Sequence, residues 1–121
     1  MTASIEIDVM NGLLFLHDPA VDNIPEVTRA GSCWSNSDCV AFSCQNECFG
    51  PTKLSVGPSA EINPARELVF DGILRTPSRE IVVDTVLSEV VLKHRVQTNS
   101  TRVRIWTLGA RESEIVIIGL G

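Results

Sequence analysis

Arg79-Glu-Ile-Val-Val-Asp-Thr-Val-Leu87, Glu89-Val-Val-Leu-Lys-His-Arg-Val96 and Arg102-Val-Arg-Ile-Trp-Thr-Leu108 follow one another with only short breaks between them. Each carries β-branched residues at or near every second position, the period of a strand with two distinct faces. Glu67-Leu-Val-Phe70 before them and Glu114-Ile-Val-Ile-Ile118 after them repeat the pattern, so the chain from Arg66 to Gly121 reads as strand after strand. Ile115 to Ile118 is apolar at every position, which predicts a central strand over Glu114–Leu120 covered on both sides.

Working back toward the N-terminus, Ile5, Ile7 and Val9 alternate with Glu6 and Asp8, a strand with one wet face. Asn11-Gly12 is a strong hairpin signal, and Leu13-Leu-Phe-Leu-His17 follows it, so these first two strands are expected to pair antiparallel. Asp18 to Gly31, with Pro19 and Pro25, reads as a loop with one turn of helix at most. A short strand near Val40-Ala-Phe-Ser43 precedes the turn Phe49-Gly-Pro51 and the strand Lys53-Leu-Ser-Val56. No window shows clean helical periodicity. The expected fold is therefore an all-β, antiparallel β-sandwich of about eight or nine short strands with few or no helices, a barrel standing second.

The bulk properties fit one domain over residues 1–121, long enough to bury a core without metals or disulfides. Hydrophobic residues make up 44% and charged residues 21%, a globular balance rather than a disordered one. The net charge of −5 disfavours wholesale binding to nucleic acid or an anionic membrane, so neither is expected as a partner. The N-terminal stretch is acidic where a signal peptide is basic and apolar, and no segment has the length of a membrane span. The expected location is cytoplasmic, with reduced thiols.

Cys33, Cys39, Cys44 and Cys48 fall within sixteen positions, with five, four and three residues between them. Zinc knuckles use a closer pair, typically two residues apart. Free and mostly buried thiols are favoured over a metal site or disulfides, and no cofactor is expected. His17 and His94 are the only histidines. His94 shares a strand face with Val90, Leu92 and Val96, which suits a hydrogen-bonded structural residue better than a catalyst. No phosphate loop or hydrolase motif is present, and no catalytic residue is assigned.

The polar faces carry more information. With Val103 and Ile105 pointing inward, Arg102, Arg104 and Trp106 share an outer face, and the preceding strand puts Lys93 and Arg95 outward. If Gln97–Thr101 closes a hairpin, these cations become cross-strand neighbours, whose repulsion must be offset by a carboxylate or an acidic partner. Lys93, Arg95, Arg102, Arg104 and Trp106 are thus the candidate partner-binding residues, with Trp106 placed for cation–π contact. The competing reading is a solvated basic face, with Trp106 covered by a neighbouring loop or by a second sheet.

Leu16-His-Asp-Pro19, Trp34 followed by Val40-Ala-Phe42, Ala65-Arg-Glu-Leu-Val-Phe70, Glu80-Ile-Val-Val83 and Thr101-Arg-Val-Arg-Ile-Trp106 together resemble the competence protein J and sugar-nonspecific nuclease inhibitor family. The resemblance spans residues 12 to 110; the cysteine cluster within that span is not a feature of the family, and no functional residue is carried over. It implies a sandwich-like inhibitor or immunity-type protein that blocks a partner enzyme by surface contact. The expected function is accordingly a non-enzymatic protein-binding module. Acidic residues such as Asp71, Glu80 and Asp84 could mimic phosphates toward a nuclease, or the Lys93/Arg104/Trp106 face could dock on an acidic rim. The alternatives are a structural, self-associating β-sandwich of phage or mobile-element type and, last, a metal-dependent enzyme built on the cysteines.

Overall fold

The computed structural model describes residues 2–28, 31–62, 66–108 and 112–121. It contains ten strands: β1 (Ala3–Ile7), β2 (Leu13–His17), β3 (Cys33–Ser35), β4 (Cys39–Ser43), β5 (Thr52–Pro58), β6 (Glu67–Arg75), β7 (Glu80–Thr85), β8 (Val90–Arg95), β9 (Ser100–Thr107) and β10 (Ile115–Leu120). They form two five-stranded sheets, a front sheet ordered β1-β5-β10-β9-β6 and a back sheet ordered β3-β4-β2-β7-β8. The helical content described is three single 3-10 turns, among them Met10–Gly12 and Ser59–Glu61. The fold class is the expected all-β one. β3 escapes the sequence pattern because three residues are too few to show alternation.

Two sequence expectations about pairing fail. Asn11 and Gly12 do adopt the left-handed conformation of a tight turn, with φ of 59° and 60°, but they do not close a hairpin. The chain instead crosses there from the front sheet to the back, so β1 pairs with β5 while β2 sits between β4 and β7. The amide of Cys44 donates to the Gly12 carbonyl at 2.8 Å. A Cβ on Gly12 would come within 2.6 Å of the Cys44 carbonyl oxygen, so glycine is required for this close approach. The ladder is also not wholly antiparallel. β10 enters the front sheet between β9 and β5 and runs parallel to β5.

The second failure is more informative. Gln97–Thr101 does not close a β8–β9 hairpin, because the two strands belong to different sheets. Glu67 to Thr107 is instead one long hairpin whose tip lies at Val86–Glu89, where Thr85 N–H donates to Glu89 O. Its register runs from Glu80 opposite Arg95 and Val83 opposite Leu92 to Arg75 opposite Ser100 and Phe70 opposite Ile105. Between those ladders the hairpin folds over on itself, at Thr76–Arg79 and Val96–Asn99, so that one half joins each sheet. Backbone bonds persist through this crease, from Thr76 N–H to Asn99 O at 2.8 Å and from Val96 N–H to Arg79 O at 3.0 Å.

The crease is held by buried polar groups whose partners are all within the fold. Thr76, fully buried, donates its hydroxyl to Thr98 O at 2.7 Å and shares a 3.0 Å hydroxyl–hydroxyl bond with Thr101. Asp18 at the end of β2 accepts from the Ser78 amide at 2.8 Å, the Ser78 hydroxyl at 2.6 Å and the Ala20 amide at 2.8 Å. Asp38, between β3 and β4, receives Arg75 and the Asn23 amide group. A buried polar group without a partner costs about 1–3 kcal/mol, so this satisfied network specifies the bend as well as tolerating it.

The main core lies between the sheets and takes Leu14, Leu16, Val40 and Phe42 from the back and Leu54, Val103, Ile105, Val116 and Ile118 from the front. A smaller cluster of Phe15, Cys39 and Ala41 lies on the outer side of the back sheet, against Leu13, Trp34 and Val86. β10 is central, as expected, but its outer face is covered only in part: Ile115 and Ile117 remain half-exposed, whereas Gly119 is buried.

Candidate functional site

The five candidate partner-binding residues do not form one cluster. Lys93 stands opposite Val82 on the outer face of the back sheet. Arg102, Arg104 and Trp106 lie on the outer face of the front sheet, because Val103 and Ile105 between them are fully buried. Arg95 ends β8 at the crease. The cross-strand repulsion expected of a β8–β9 hairpin therefore does not arise.

On the front face, the offsetting carboxylate is Asp71. Arg102 grips it with Nε at 3.0 Å and a terminal nitrogen at 2.8 Å, a forked pair that holds the Asp71 carboxyl below the usual carboxylate range. Arg104, directly opposite Asp71 in the ladder, turns away: its terminal nitrogen donates to Gly121 O at 3.1 Å, and its guanidinium sits 5.8 Å from the centre of the Trp106 ring. Trp106 itself is only 8% exposed. A Cβ on Gly119 would lie 2.8 Å from the Trp106 ring and 2.7 Å from the Ser59 hydroxyl, so both groups approach that glycine closely. Trp106 thus serves as a platform that carries Arg104.

Around this platform the front face keeps exposed apolar side chains: Ile73 at 64%, Leu68 at 49% and Leu108 at 47%. Leu68 stands opposite Trp106, which stands opposite Ile117; Ile73 stands opposite Arg102. The result is a mixed strip of arginines and aliphatic side chains on a flat sheet, the composition found at protein interfaces rather than in a reaction centre. Sequence reading found Arg102, Arg104 and Trp106 but missed Leu68 and Ile73, since a register shift between Leu68 and Phe70 breaks the alternation of β6.

A cleft of about 390 Å³ opens at the crease, lined by His94, Arg95, Val96, Arg102, Leu120 and Pro58 among others. It brings Arg95 and Arg102 to one place although their strands lie in different sheets. His94 is half-buried here, with Nδ1 2.8 Å from Arg95 O, consistent with the structural role expected of it. Its expected companion Val90 is turned out to 43% exposure by the register shift at Val83/Asp84.

One constellation was not visible in the sequence. His17 stands opposite Cys39 in the β2–β4 ladder, and its Nε2 lies 2.9 Å from Asp84 Oδ2, which brings these three residues to one region of the back sheet. The geometry does not equip Cys39 and His17 as a nucleophile and its base. His17 Nδ1 faces Asp18 O at 2.9 Å and Val21 O at 3.2 Å, so both ring nitrogens are committed to acceptors and neither can take a proton from the thiol. Cys39 is 1% exposed, and burial, reinforced by Asp84 and Asp38, pushes its thiol up to about 12. Burial opposes charging of His17, but its bonds to Asp84, Asp18 and Val21 raise its pKa overall.

The other cysteines are dispersed. Cys33 and Cys44 pack with the main core, each raised to about 11 by burial, and Cys48 is exposed. Among the described residues no group of three metal-binding side chains converges. Among the described residues no helix is long and apolar enough to cross a membrane.

No family model matches the chain, and no curated protein matches it either. Solved structures do. ComJ of Bacillus subtilis, an inhibitor of the DNA degrading activity of NucA, aligns over 98% of this chain and 93% of its own, with a TM-score of 0.65 and 12% identity. The chain has the ComJ fold. The product of crocagin biosynthetic gene J aligns over 99% of this chain and 96% of its own, with a TM-score of 0.60 and 16% identity. The family resemblance read from the sequence is therefore borne out at the level of the fold.

Proposed function

We propose that this protein is a non-enzymatic inhibitor or immunity-type module that binds a partner enzyme and occludes it with the outer face of the front sheet. The observation that carries this reading is the uncovered strip on that face, where Leu68 and Ile73 flank Arg102 and Arg104. An apolar patch edged by arginine is what a partner surface desolvates. The ComJ-like fold supports an inhibitor of a DNA-degrading nuclease as the first class to test. Phosphate mimicry by the acidic residues fits poorly, since Asp71 is engaged by Arg102 and Asp84 by His17. The basic strip instead suits an acidic rim on the enzyme.

The test is DNA degradation by a nuclease from the same organism, titrated with the purified protein and with the variants Arg104→Glu and Ile73→Asp. Stoichiometric inhibition that each variant weakens by roughly 1–3 kcal/mol, the range of interface anchors, supports the proposal. Full inhibition by both variants removes this face from consideration. Light scattering tests the second reading, self-association through the same exposed Leu68 and Ile73: a stable dimer lost in Ile73→Asp would favour it.

A further inference from the structure

We propose that the crease cleft is a carboxylate-binding site that receives one acidic side chain from an extended segment of the protein partner. The inference deepens the occlusion proposal and rests on it for the identity of the partner, while the site itself is assigned from its own chemistry. Three features define that chemistry.

The first is charge. Arg102 lines the cleft but is already forked onto Asp71. Arg95 lines it too, and makes no ion pair among the described residues even though Glu80 stands opposite it in the β7–β8 ladder. One uncompensated guanidinium suits a singly charged carboxylate better than a doubly charged phosphate. The second is the lining. Val96, Leu120 and Pro58 give the cleft an apolar wall that matches the methylenes of a glutamate side chain. The third is rigidity. The walls come from the crease itself, whose Thr76 is tied to Thr98, Asn99 and Thr101, so the site is preformed and little ordering is lost on binding. The cleft also adjoins the front-face strip, because Gly121 lines it and accepts the bond from Arg104. A partner seated on the strip could therefore extend an acidic side chain into it.

The experiment is a two-dimensional amide NMR titration of the whole protein at low salt, with N-acetyl-glutamate amide, N-acetyl-glutamine amide and inorganic phosphate as probes. The expected result is saturable shifts at residues 94–102 and 120–121 with the glutamate probe and none with the glutamine probe. Arg95→Gln should weaken that binding roughly tenfold, the loss of one charge-assisted contact. Lys93→Gln removes the same charge two residues earlier on β8, at a side chain that does not line the cleft, and should leave it unchanged, while Glu80→Gln, which removes the carboxylate opposite Arg95 in the ladder, should tighten it. Shifts scattered over the surface, equal loss in Lys93→Gln, or tighter binding of phosphate at the cleft would overturn the assignment. Nuclease inhibition that survives Arg95→Gln but fails in Arg104→Glu would sink the cleft alone and leave the occlusion reading standing.

Discussion

Asp18 accepts two hydrogen bonds from Ser78, one from its amide and one from its hydroxyl, and so fastens the end of β2 to the crease of a hairpin that begins 49 residues further on, at Glu67. The carboxylate is fully buried and the Ala20 amide supplies a third donor. This one side chain links the loop after β2, the fold in the long hairpin and the entry to β7. The crease in turn sets where the front-face strip and the cleft lie, so Asp18 positions the binding surface without touching it.

Replacing Asp18 with Ala should therefore destabilise the protein by roughly 2–3 kcal/mol, the scale of hydrogen bonds to a charged acceptor. Burial alone would raise the Asp18 pKa, but the Ser78 and Ala20 bonds and nearby His17 outweigh it and hold it below the usual carboxylate range. The stabilisation is then complete above the ordinary carboxylate value near 4 and is lost as pH falls through the lower folded value. Urea midpoints across the acid range should show this decline in the native protein and a shallower one in Asp18→Ala. Equal midpoints at neutral pH would contradict the anchoring role.

His17 predicts the opposite slope. Its folded pKa is raised, so the stability gained from its bond to Asp84 is fully present below the unfolded value of about 6.5 and is lost as pH rises through the folded value. As pH rises from about 6.5 through the raised folded value the native protein should become less stable, and His17→Gln should flatten the curve. Histidine ring NMR provides the direct check, with His17 titrating above a model histidine.

The strands themselves were legible in the sequence because they are runs of β-branched and apolar residues, with burial that alternates cleanly in β1 and through most of β9. Their partners were not. Asn11-Gly12 has the local conformation of a hairpin turn, but Val9, Leu14 and Leu16 all find burial in a core shared by two sheets, and tertiary packing overrides the local signal. The crease escaped for a related reason: Gln97-Thr-Asn-Ser reads as a polar turn, and only Thr76, Thr98 and Thr101 meeting in space show it to be a crossing between sheets. The arginines of the candidate surface were visible as outward positions. Their separation onto different faces followed from sheet membership, which no periodicity encodes.

The thiols should report the architecture directly. Cys39 and Cys44 are buried, Cys33 is half-buried with its thiol raised to about 11, and Cys48 is exposed. Because the thiolate is the reactive form, a thiol reagent at neutral pH should label one cysteine rapidly and the other three only on unfolding. Cys48→Ser should abolish the fast phase. Two or more fast-reacting thiols in the native protein would contradict the burial of Cys39 and Cys44 or the raised thiol of Cys33.

Gly119 offers the sharpest test of how the front face is built. A methyl group there would meet the Trp106 ring at 2.8 Å and the Ser59 hydroxyl at 2.7 Å, closer than packed atoms approach, so one of them must move. Overpacking of this kind typically costs about 1–3 kcal/mol. The displaced indole would also carry Arg104 off its platform, since the guanidinium lies over that ring and bonds Gly121 next to it. Gly119→Ala should therefore lower the unfolding midpoint, shift tryptophan emission to longer wavelength as the ring gains solvent, and weaken partner binding. Trp106→Ala separates these effects: it removes the ring and leaves a void, so it should be costlier for stability than Arg104→Glu. A Gly119→Ala protein with unchanged stability and emission would show that Trp106 does not rest on Gly119, and Arg104 would then need another support.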